Sequence, residues 1–220
     1  MAEGPLAELL RREPRLWRGG APASPRTEST GFSALDRLLP GGGWPVGGLT
    51  ELYPTATGIG EFTLLLPLLA RLTQAGRRVA LVAPPYIPYS QALAWHGVKL
   101  DRLVLLSPER PADALWALEQ TLASKTLALA VGWPSRAVER DVRRLQVAAE
   151  TGEAMALLYR PMRDAAQASP AALRLRLAPA PQGAPQGLAV DLFKSRGGRP
   201  AAVTLPSSLP TALPLRSAAA

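Results

Sequence analysis

Residues 49–63 read LTELYPTATGIGEFT, and this stretch decides the fold. An apolar strand at 49–53 leads into a loop of small residues, and a helix is predicted to follow over 61–75. Doubly wound α/β folds place a phosphate-binding loop in this strand–loop–helix arrangement. The stretch therefore predicts a strand–loop–helix unit of an α/β domain.

Short apolar runs alternate with helical periodicity from this unit to about residue 205. The run VALV at 79–82 is apolar on both faces of its predicted strand, which is typical of a parallel sheet covered by helices. We therefore predict an α/β fold with a mostly parallel, twisted sheet flanked by helices. The predicted strands are 49–53, 78–83, 103–107, 127–131, 154–159, 173–177 and 188–193, and the predicted helices are 61–75, 88–96, 111–124 and 135–151.

The composition excludes several kinds of chemistry. The 220 residues include no cysteine and one histidine, His96, which excludes disulfides, zinc fingers, iron–sulfur clusters and multi-histidine metal sites. There is no run of 18 apolar residues and no signal-peptide layout, so we expect a cytoplasmic protein. The net charge is +8, and residues 133–220 hold 12 basic and 6 acidic side chains. Such an excess favours a polyanion or an acidic protein as a partner.

The loop after the first strand departs from a working phosphate loop. That loop reads GxxxxGK[ST], but Glu61 stands at the lysine position and Phe62 at the hydroxyl position. Two unit charges about 4 Å apart interact by about 4 kcal/mol at an effective dielectric of 20, so the reversed charge should abolish ATP binding. The acid expected after strand 127–131 to hold a metal is also missing.

We therefore predict a degenerate phosphate loop, no catalytic residue, no metal and no cofactor. The alternative is an ATPase with an unusual loop. The predicted loop consists of Thr57, Gly58, Ile59, Gly60, Glu61 and Phe62.

The segments around this loop resemble the RecA core. TGFSALD at 30–36 and PGGGWPVGGLTELY at 40–53 are similar to the entry of RecA-like domains, where a glycine-rich turn leads into the nucleotide loop. Among RecA-like proteins the chain most resembles the ImuA family of degenerate RecA relatives from bacterial translesion-synthesis cassettes. That resemblance covers roughly residues 6–205 and is carried by VAPPYIPY at 82–89, ADALWALEQ at 112–120 and SPAALRLRL at 169–177.

The resemblance implies a cytoplasmic, SOS-induced accessory protein of DNA repair that is a pseudo-ATPase and not an enzyme. The partners it implies are an ImuB-type Y-family polymerase-like protein, an error-prone replicative-type polymerase, a RecA filament and DNA, with no membrane. ImuA-like chains also resemble SulA, the cell-division inhibitor that binds the FtsZ GTPase. A SulA-like inhibitor is therefore the alternative function.

A basic surface is predicted near the C-terminal end of the core. LRLRL at 173–177 alternates, which places both of its arginines on one face of the strand. The segment DLFKSR at 191–196 resembles the RecA strand end whose two cations reach the nucleotide of a neighbouring subunit. A solvated surface without a ligand is the alternative. The candidate DNA or trans-subunit contacts are Arg174, Arg176, Lys194, Arg196 and Arg199.

We divide the chain into an N-terminal arm and linker (1–30), a RecA-like core (31–205) and a flexible C-terminal tail (206–220). Leu9, Leu10 and Trp17 lie in a short amphipathic piece followed by a linker rich in Gly, Pro, Ala and Ser. We expect these three residues to dock on a partner, and the alternative is that they fold back on the core. The other four tryptophans are expected to pack in the core or at its rim.

Overall fold

The computed structural model describes residues 26–183 and 187–206 of the chain. The strands are β1 (Thr27–Glu28), β2 (Trp44–Pro45), β3 (Leu49–Pro54), β4 (Val79–Val82), β5 (Leu103–Leu106), β6 (Leu129–Gly132), β7 (Met155–Tyr159), β8 (Leu173–Pro179), β9 (Gly187–Ser195) and β10 (Ala201–Pro206). The α-helices are α1 (Ser33–Asp36), α2 (Leu66–Gln74), α3 (Ser90–Trp95), α4 (Asp113–Ala123) and α5 (Glu139–Gly152). Single 3₁₀ turns span Pro40–Gly42, Glu61–Leu64, Leu100–Arg102 and Met162–Ala166.

The described strands form one large sheet and one small one. The large sheet has eight strands in the order β10-β9-β8-β3-β7-β6-β4-β5, and β1 pairs with β2 in a separate two-stranded sheet. The six strands from β8 to β5 run parallel, whereas β9 and β10 are antiparallel additions. The fold is therefore mixed α/β with a mostly parallel sheet, as predicted.

Helices cover both faces of the parallel sheet. Residues of β4, β6 and β7 are buried throughout, which explains why these strands are continuous apolar runs. Leu52 and Leu68 lie in the apolar cluster under α2, while Leu49, Leu118 and Val142 lie in the cluster under α4 and α5. Because successive strand residues point to opposite faces, β3 contributes to both clusters.

Every predicted strand and helix is found, with small shifts at the ends. The helix predicted over 61–75 starts as a 3₁₀ turn, and Pro67 lies in the first turn of α2, where a missing N–H costs no intrahelical bond. The helix predicted over 135–151 starts at Glu139, because the Asp141 carboxylate accepts a hydrogen bond from the Val138 N–H at 3.0 Å.

Several segments fall outside the sequence predictions. Strand β10 and the short β1–β2 pair were not predicted, and the β1 residues of the predicted arm pair with Trp44–Pro45. Leu9, Leu10 and Trp17, and the tail from residue 207, lie outside the described residues. The boundaries 1–30, 31–205 and 206–220 and the RecA-like label therefore stay predictions.

Candidate functional site

The loop after β3 is closed by its own hydrogen bonds. Gly58 (φ 83°) and Gly60 (φ 87°) adopt left-handed conformations that favour glycine. The Glu61 carboxylate accepts a hydrogen bond from the Gly58 N–H at 3.1 Å, and the Thr63 hydroxyl donates to the Gly60 carbonyl at 2.6 Å. Backbone amides of a working loop cradle phosphate oxygens. Here a side-chain carboxylate of the same loop accepts from such an amide.

Three aromatic rings stack beside this loop at the carboxyl ends of β6 and β7. The Trp133 and Tyr159 rings are parallel within 5°, with centroids 4.9 Å apart, and the Phe62 ring follows at 6.3 Å from Trp133. The Tyr159 hydroxyl donates to the Glu61 carbonyl oxygen at 2.8 Å. Burial raises the pKa of Tyr159 well above its ordinary value, and the nearby Glu61 carboxylate raises it further, so this hydroxyl remains a donor.

A cavity of about 160 Å³ opens in front of these rings. We call it the aromatic pocket; its lining residues are Glu61, Phe62, Pro84, Pro85, Tyr86, Pro88, Trp133 and Tyr159. Ligands of open α/β sheets bind in crevices at the carboxyl ends of the strands, where this pocket lies. The pocket was not predicted from the sequence, although PPYIP at 84–88 and Trp133 each follow a predicted strand.

A charged cluster lies buried beneath β3 and β8. Glu51 is 0% exposed, and its carboxylate contacts Arg160 Nη1 at 2.6 Å and Arg174 Nε at 2.7 Å. The Tyr53 hydroxyl accepts from Arg174 Nη2 at 2.6 Å, and Arg160 donates to the Ala137 carbonyl at 2.7 Å. Two guanidinium groups thus share one carboxylate, and Arg160 also contacts Asp164 at 3.2 Å, so each buried cation has a counter-charge. Arg160 Nε, by contrast, is buried without a hydrogen-bond partner among the described residues.

The surroundings of this cluster move two pKa values. Burial acts to lower the pKa of Arg160, but the hydrogen bond and charge of Glu51 outweigh it and raise the pKa overall. Burial raises the pKa of Tyr53 to about 12, against the opposing effect of the Arg174 hydrogen bond. Arg160 therefore stays charged and Tyr53 stays neutral across the physiological range.

Arg174 is not available as a surface contact, which corrects one prediction. It is 6% exposed and its guanidinium is held by Glu51 and Tyr53. The prediction that it shares a face with Arg176 is confirmed, because both guanidinium groups lie over the Phe193 ring, at 5.0 and 4.3 Å from its centroid. The alternating pattern of LRLRL correctly placed Arg174 and Arg176 on one face of the strand, but it did not indicate that Arg174 is buried.

The other predicted cations lie on or next to the β8–β9 hairpin. Arg176 pairs with Asp191 at 3.0 Å, and Arg196 is exposed and donates to the Pro170 carbonyl at 3.2 Å. Lys194 is half-buried against the Ser169 carbonyl, and burial, together with the charge of Arg174, lowers its pKa. Arg199 is exposed. The structure thus brings four candidate contacts to one region, which we call the hairpin patch: Arg176, Lys194, Arg196 and Arg199.

Other surface features depart from the predictions or were missed. Trp44 is buried and Trp133 is half-buried, as predicted, but Trp95 is 85% exposed and Trp116 is 62% exposed, so the prediction of core packing is wrong for these two residues.

A polar cleft of about 510 Å³ lies at the amino ends of β4 and β6 and was not predicted from the sequence. Its lining includes the cations Arg78 and Lys125. No group of three metal-ligating side chains occurs within 26–183 and 187–206, and no helix there is long and apolar enough to cross a membrane.

The fold and the site define only a broad class: an α/β protein with a mostly parallel sheet and no metal cluster among its described residues. Comparison with known proteins narrows this class. A family model described as cell division inhibitor SulA matches residues 50–156. The cell division inhibitor SulA of Serratia marcescens is 34% identical over 101 residues, which cover 46% of this chain and 60% of the relative. Protein ImuA of Caulobacter vibrioides is 31% identical over 194 residues, covering 78% of this chain and 80% of the relative.

Among solved structures, the crystal structure of SulA from Pseudomonas aeruginosa is 27% identical and covers 53% of this chain and 99% of its own, with a TM-score of 0.45. The chain spans about 60% of the length of the SulA relatives it matches. The chain belongs to the ImuA family, which is related to SulA.

Proposed function

We propose that the protein is a non-catalytic accessory factor of DNA-damage-induced mutagenesis that acts by binding proteins and DNA. The observation that carries the proposal is the similarity to ImuA, which extends over 194 residues and 80% of that relative. The partners proposed from the family resemblance are an ImuB-type Y-family polymerase-like protein, an error-prone replicative-type polymerase and a RecA filament. The neighbouring genes offer a direct check, since an adjacent Y-family-like polymerase gene supports this role.

The loop after β3 supports the non-catalytic part of the proposal. Glu61 places a negative charge where a working loop has lysine, and its carboxylate already accepts from the Gly58 amide. A triphosphate would lose that amide and meet a like charge. Titration with fluorescent mant-ATP should therefore show no binding at micromolar concentrations. Micromolar affinity of the wild-type protein would contradict the proposal, and a gain of affinity in Glu61→Gln would show that the charge is what excludes the nucleotide.

DNA binding is proposed for the hairpin patch. Each phosphate contact contributes about −0.7 to the log–log salt slope on single strands, so four contacts predict a slope near −3. Charge reversal at exposed Arg196 and Arg199 should halve this slope and weaken binding at every sequence tested. The matched control reverses exposed Arg136 and Arg140, which lie just before and within α5. Equal losses in both double variants would indicate a net-charge effect and contradict a contact at the patch.

A trans-subunit role is also proposed for Lys194 and Arg196, from the family resemblance. Lys194 donates a hydrogen bond to the Ser169 carbonyl and Arg196 donates one to the Pro170 carbonyl, and these bonds position both cations at one end of β9. Charge reversal at both positions should weaken binding to a RecA-like partner filament. Unchanged partner and DNA affinities would refute the role.

Protein docking is proposed for the arm residues Leu9, Leu10 and Trp17. Replacing Leu9 and Leu10 by serine and Trp17 by alanine should weaken capture of an ImuB-type partner measured by calorimetry. Ala7→Ser, a polar change in the same arm, is the control. Retention of full affinity by the triple variant would contradict docking through the arm.

A SulA-like inhibitor of cell division is the second candidate, favoured by the family model over residues 50–156 and by 34% identity to the Serratia relative. This function needs no DNA. Inhibition of FtsZ polymerisation at stoichiometric protein, together with no salt-dependent DNA binding, would favour the inhibitor over the mutagenesis factor.

A further inference from the structure

The aromatic pocket combines flat apolar walls with a single ionisable acid. Its rings come from Phe62, Trp133, Tyr159 and Tyr86, and three prolines complete the wall. The Tyr159 hydroxyl donates a hydrogen bond to the Glu61 carbonyl, so Tyr159 contributes its ring to the wall of the pocket. Glu61 is the one acidic or basic side chain among the residues that line the pocket.

The Glu61 carboxylate lacks a cationic partner in the described part of the chain. None of the ion pairs formed within 26–183 and 187–206 includes Glu61, whose carboxylate accepts only from the Gly58 amide there. Arg160 lines the adjoining crevice of about 390 Å³, but its guanidinium is committed to Glu51 and the Ala137 carbonyl. The negative charge at the pocket is therefore not neutralised from within the described residues.

The size of the pocket excludes most ligands of nucleotide dimensions. A volume of about 160 Å³ is smaller than the roughly 300–1,000 Å³ of ordinary small-molecule sites. It matches one side chain or one planar group. Aromatic faces attract cations within about 6 Å of the ring centroid, and a planar guanidinium stacks on such faces while it bonds to a carboxylate.

The partial positive charge at the amino end of the helix that follows the loop opposes the binding of a cation in the aromatic pocket. A 3₁₀ turn begins at Glu61 and α2 begins at Leu66, and the amino end of an α-helix carries about +0.5 of an elementary charge. Glu61 is among the residues that line the pocket, and its acidic side chain opposes this partial positive charge. The charge thus favours a cation and disfavours a phosphate.

We propose that the aromatic pocket receives an arginine side chain of a protein partner, with the guanidinium stacked on Trp133 and bonded to Glu61. The site lies at the carboxyl ends of the strands, where open α/β sheets bind ligands, and its acidic side chain and aromatic walls favour a cation. The inference goes beyond the proposed function and holds whether the partner belongs to DNA repair or to cell division.

A peptide titration of the full chain tests the site directly. The probe is N-acetyl-arginine-amide, and the readout is the NMR signal of the Trp133 indole N–H, assigned by its absence in Trp133→Phe. We expect saturable shifts at this signal, with weaker shifts from N-acetyl-lysine-amide and none from N-acetyl-leucine-amide. Glu61→Gln, which keeps an acceptor for Gly58, should weaken the arginine probe about fivefold or more.

The controls separate the pocket from general effects. Glu109→Gln removes an exposed carboxylate elsewhere and should leave the titration unchanged. Tyr86→Ala removes a wall residue that is 71% exposed, so the fold should tolerate it while affinity for the probe falls. No shift at Trp133, equal binding by Glu61→Gln, or equal binding of the leucine probe would overturn the proposal. None of these outcomes depends on DNA or a polymerase, so they leave the proposed function to its own tests.

Discussion

Glu51 and Glu61 belong to the same strand–loop–helix unit, yet their surroundings differ completely. Glu51 is buried in the sheet and contacts two arginines at 2.6 and 2.7 Å. Glu61 is half-exposed in the loop and accepts from one backbone amide at 3.1 Å. The comparison shows that one carboxylate of this unit is neutralised by cations of the fold, whereas the other has no cationic partner among the described residues.

The largest effect is expected from breaking the buried cluster. Glu51→Gln leaves Arg174 buried without its counter-charge and leaves Arg160 with only Asp164 at 3.2 Å, which should lower the free energy of unfolding by about 3–5 kcal/mol. Urea denaturation followed by circular dichroism measures the change. Glu61→Gln is the matched change in the loop and should cost less than about 1 kcal/mol.

These two variants test whether burial makes Glu51 contribute more to stability than Glu61 does. Similar losses for Glu51→Gln and Glu61→Gln would mean that burial does not distinguish the two carboxylates. A stable Glu51→Gln protein would show that the two arginines are satisfied by their other acceptors, which include the Asp164 carboxylate, the Ala137 carbonyl and the Tyr53 hydroxyl.

A smaller effect is expected where the loop meets β7. Tyr159→Phe removes the hydroxyl that donates to the Glu61 carbonyl at 2.8 Å, which should cost about 0.5–1.5 kcal/mol. Tyr89→Phe is the control, since Tyr89 is 68% exposed and should change stability little. Equal losses in thermal unfolding would show that the Tyr159 bond does not hold the loop to the sheet.

The buried cluster should also respond to alkaline pH. The folded-state pKa of Tyr53 is about 12, above the ordinary value of 10.0, so the unfolded chain loses this proton first. The contribution of Tyr53 to stability is therefore complete below pH 10 and declines as the pH rises toward 12. We expect a loss of about 1 kcal/mol between pH 9 and 11 that is absent in Tyr53→Phe. Identical pH profiles for the two proteins would contradict this assignment.

The smallest effect is expected from an exposed pair on α5. Arg143 contacts Glu139 at 3.2 Å with both side chains more than half exposed. Arg143→Gln should cost only about 0.3–0.5 kcal/mol, because solvent screens the pair. A loss comparable with that of Glu51→Gln would mean that ion pairing, not burial, sets the energy of the cluster.

The order of elements along the chain was predictable because its signals are local. Strands such as β4 and β6 are uninterrupted apolar runs, and α4 and α5 follow a clear helical period, so each could be located without its neighbours. β10 was missed because AAVTLP is a short run with a proline, and its pairing with β9 depends on a partner elsewhere in the sequence.

The candidate sites were harder to predict because they depend on contacts between distant segments. The alternation of Arg174 and Arg176 fixed their face, but the burial of Arg174 depends on Glu51, which lies opposite it on β3. The aromatic pocket joins Phe62, Trp133 and Tyr159 from three separate segments. Neither arrangement has a signature in any single stretch of sequence.

The loop after β3 satisfies its glycine amide and its threonine hydroxyl within itself. Because the acceptor for the Gly58 amide is the Glu61 side chain itself, a substitution at position 61 leaves this bond in place only when the new side chain keeps an acceptor, as in Glu61→Gln. The charge at the pocket and the closure of the loop are thus coupled in one side chain, because the carboxylate that would meet a ligand also accepts from the loop's own backbone.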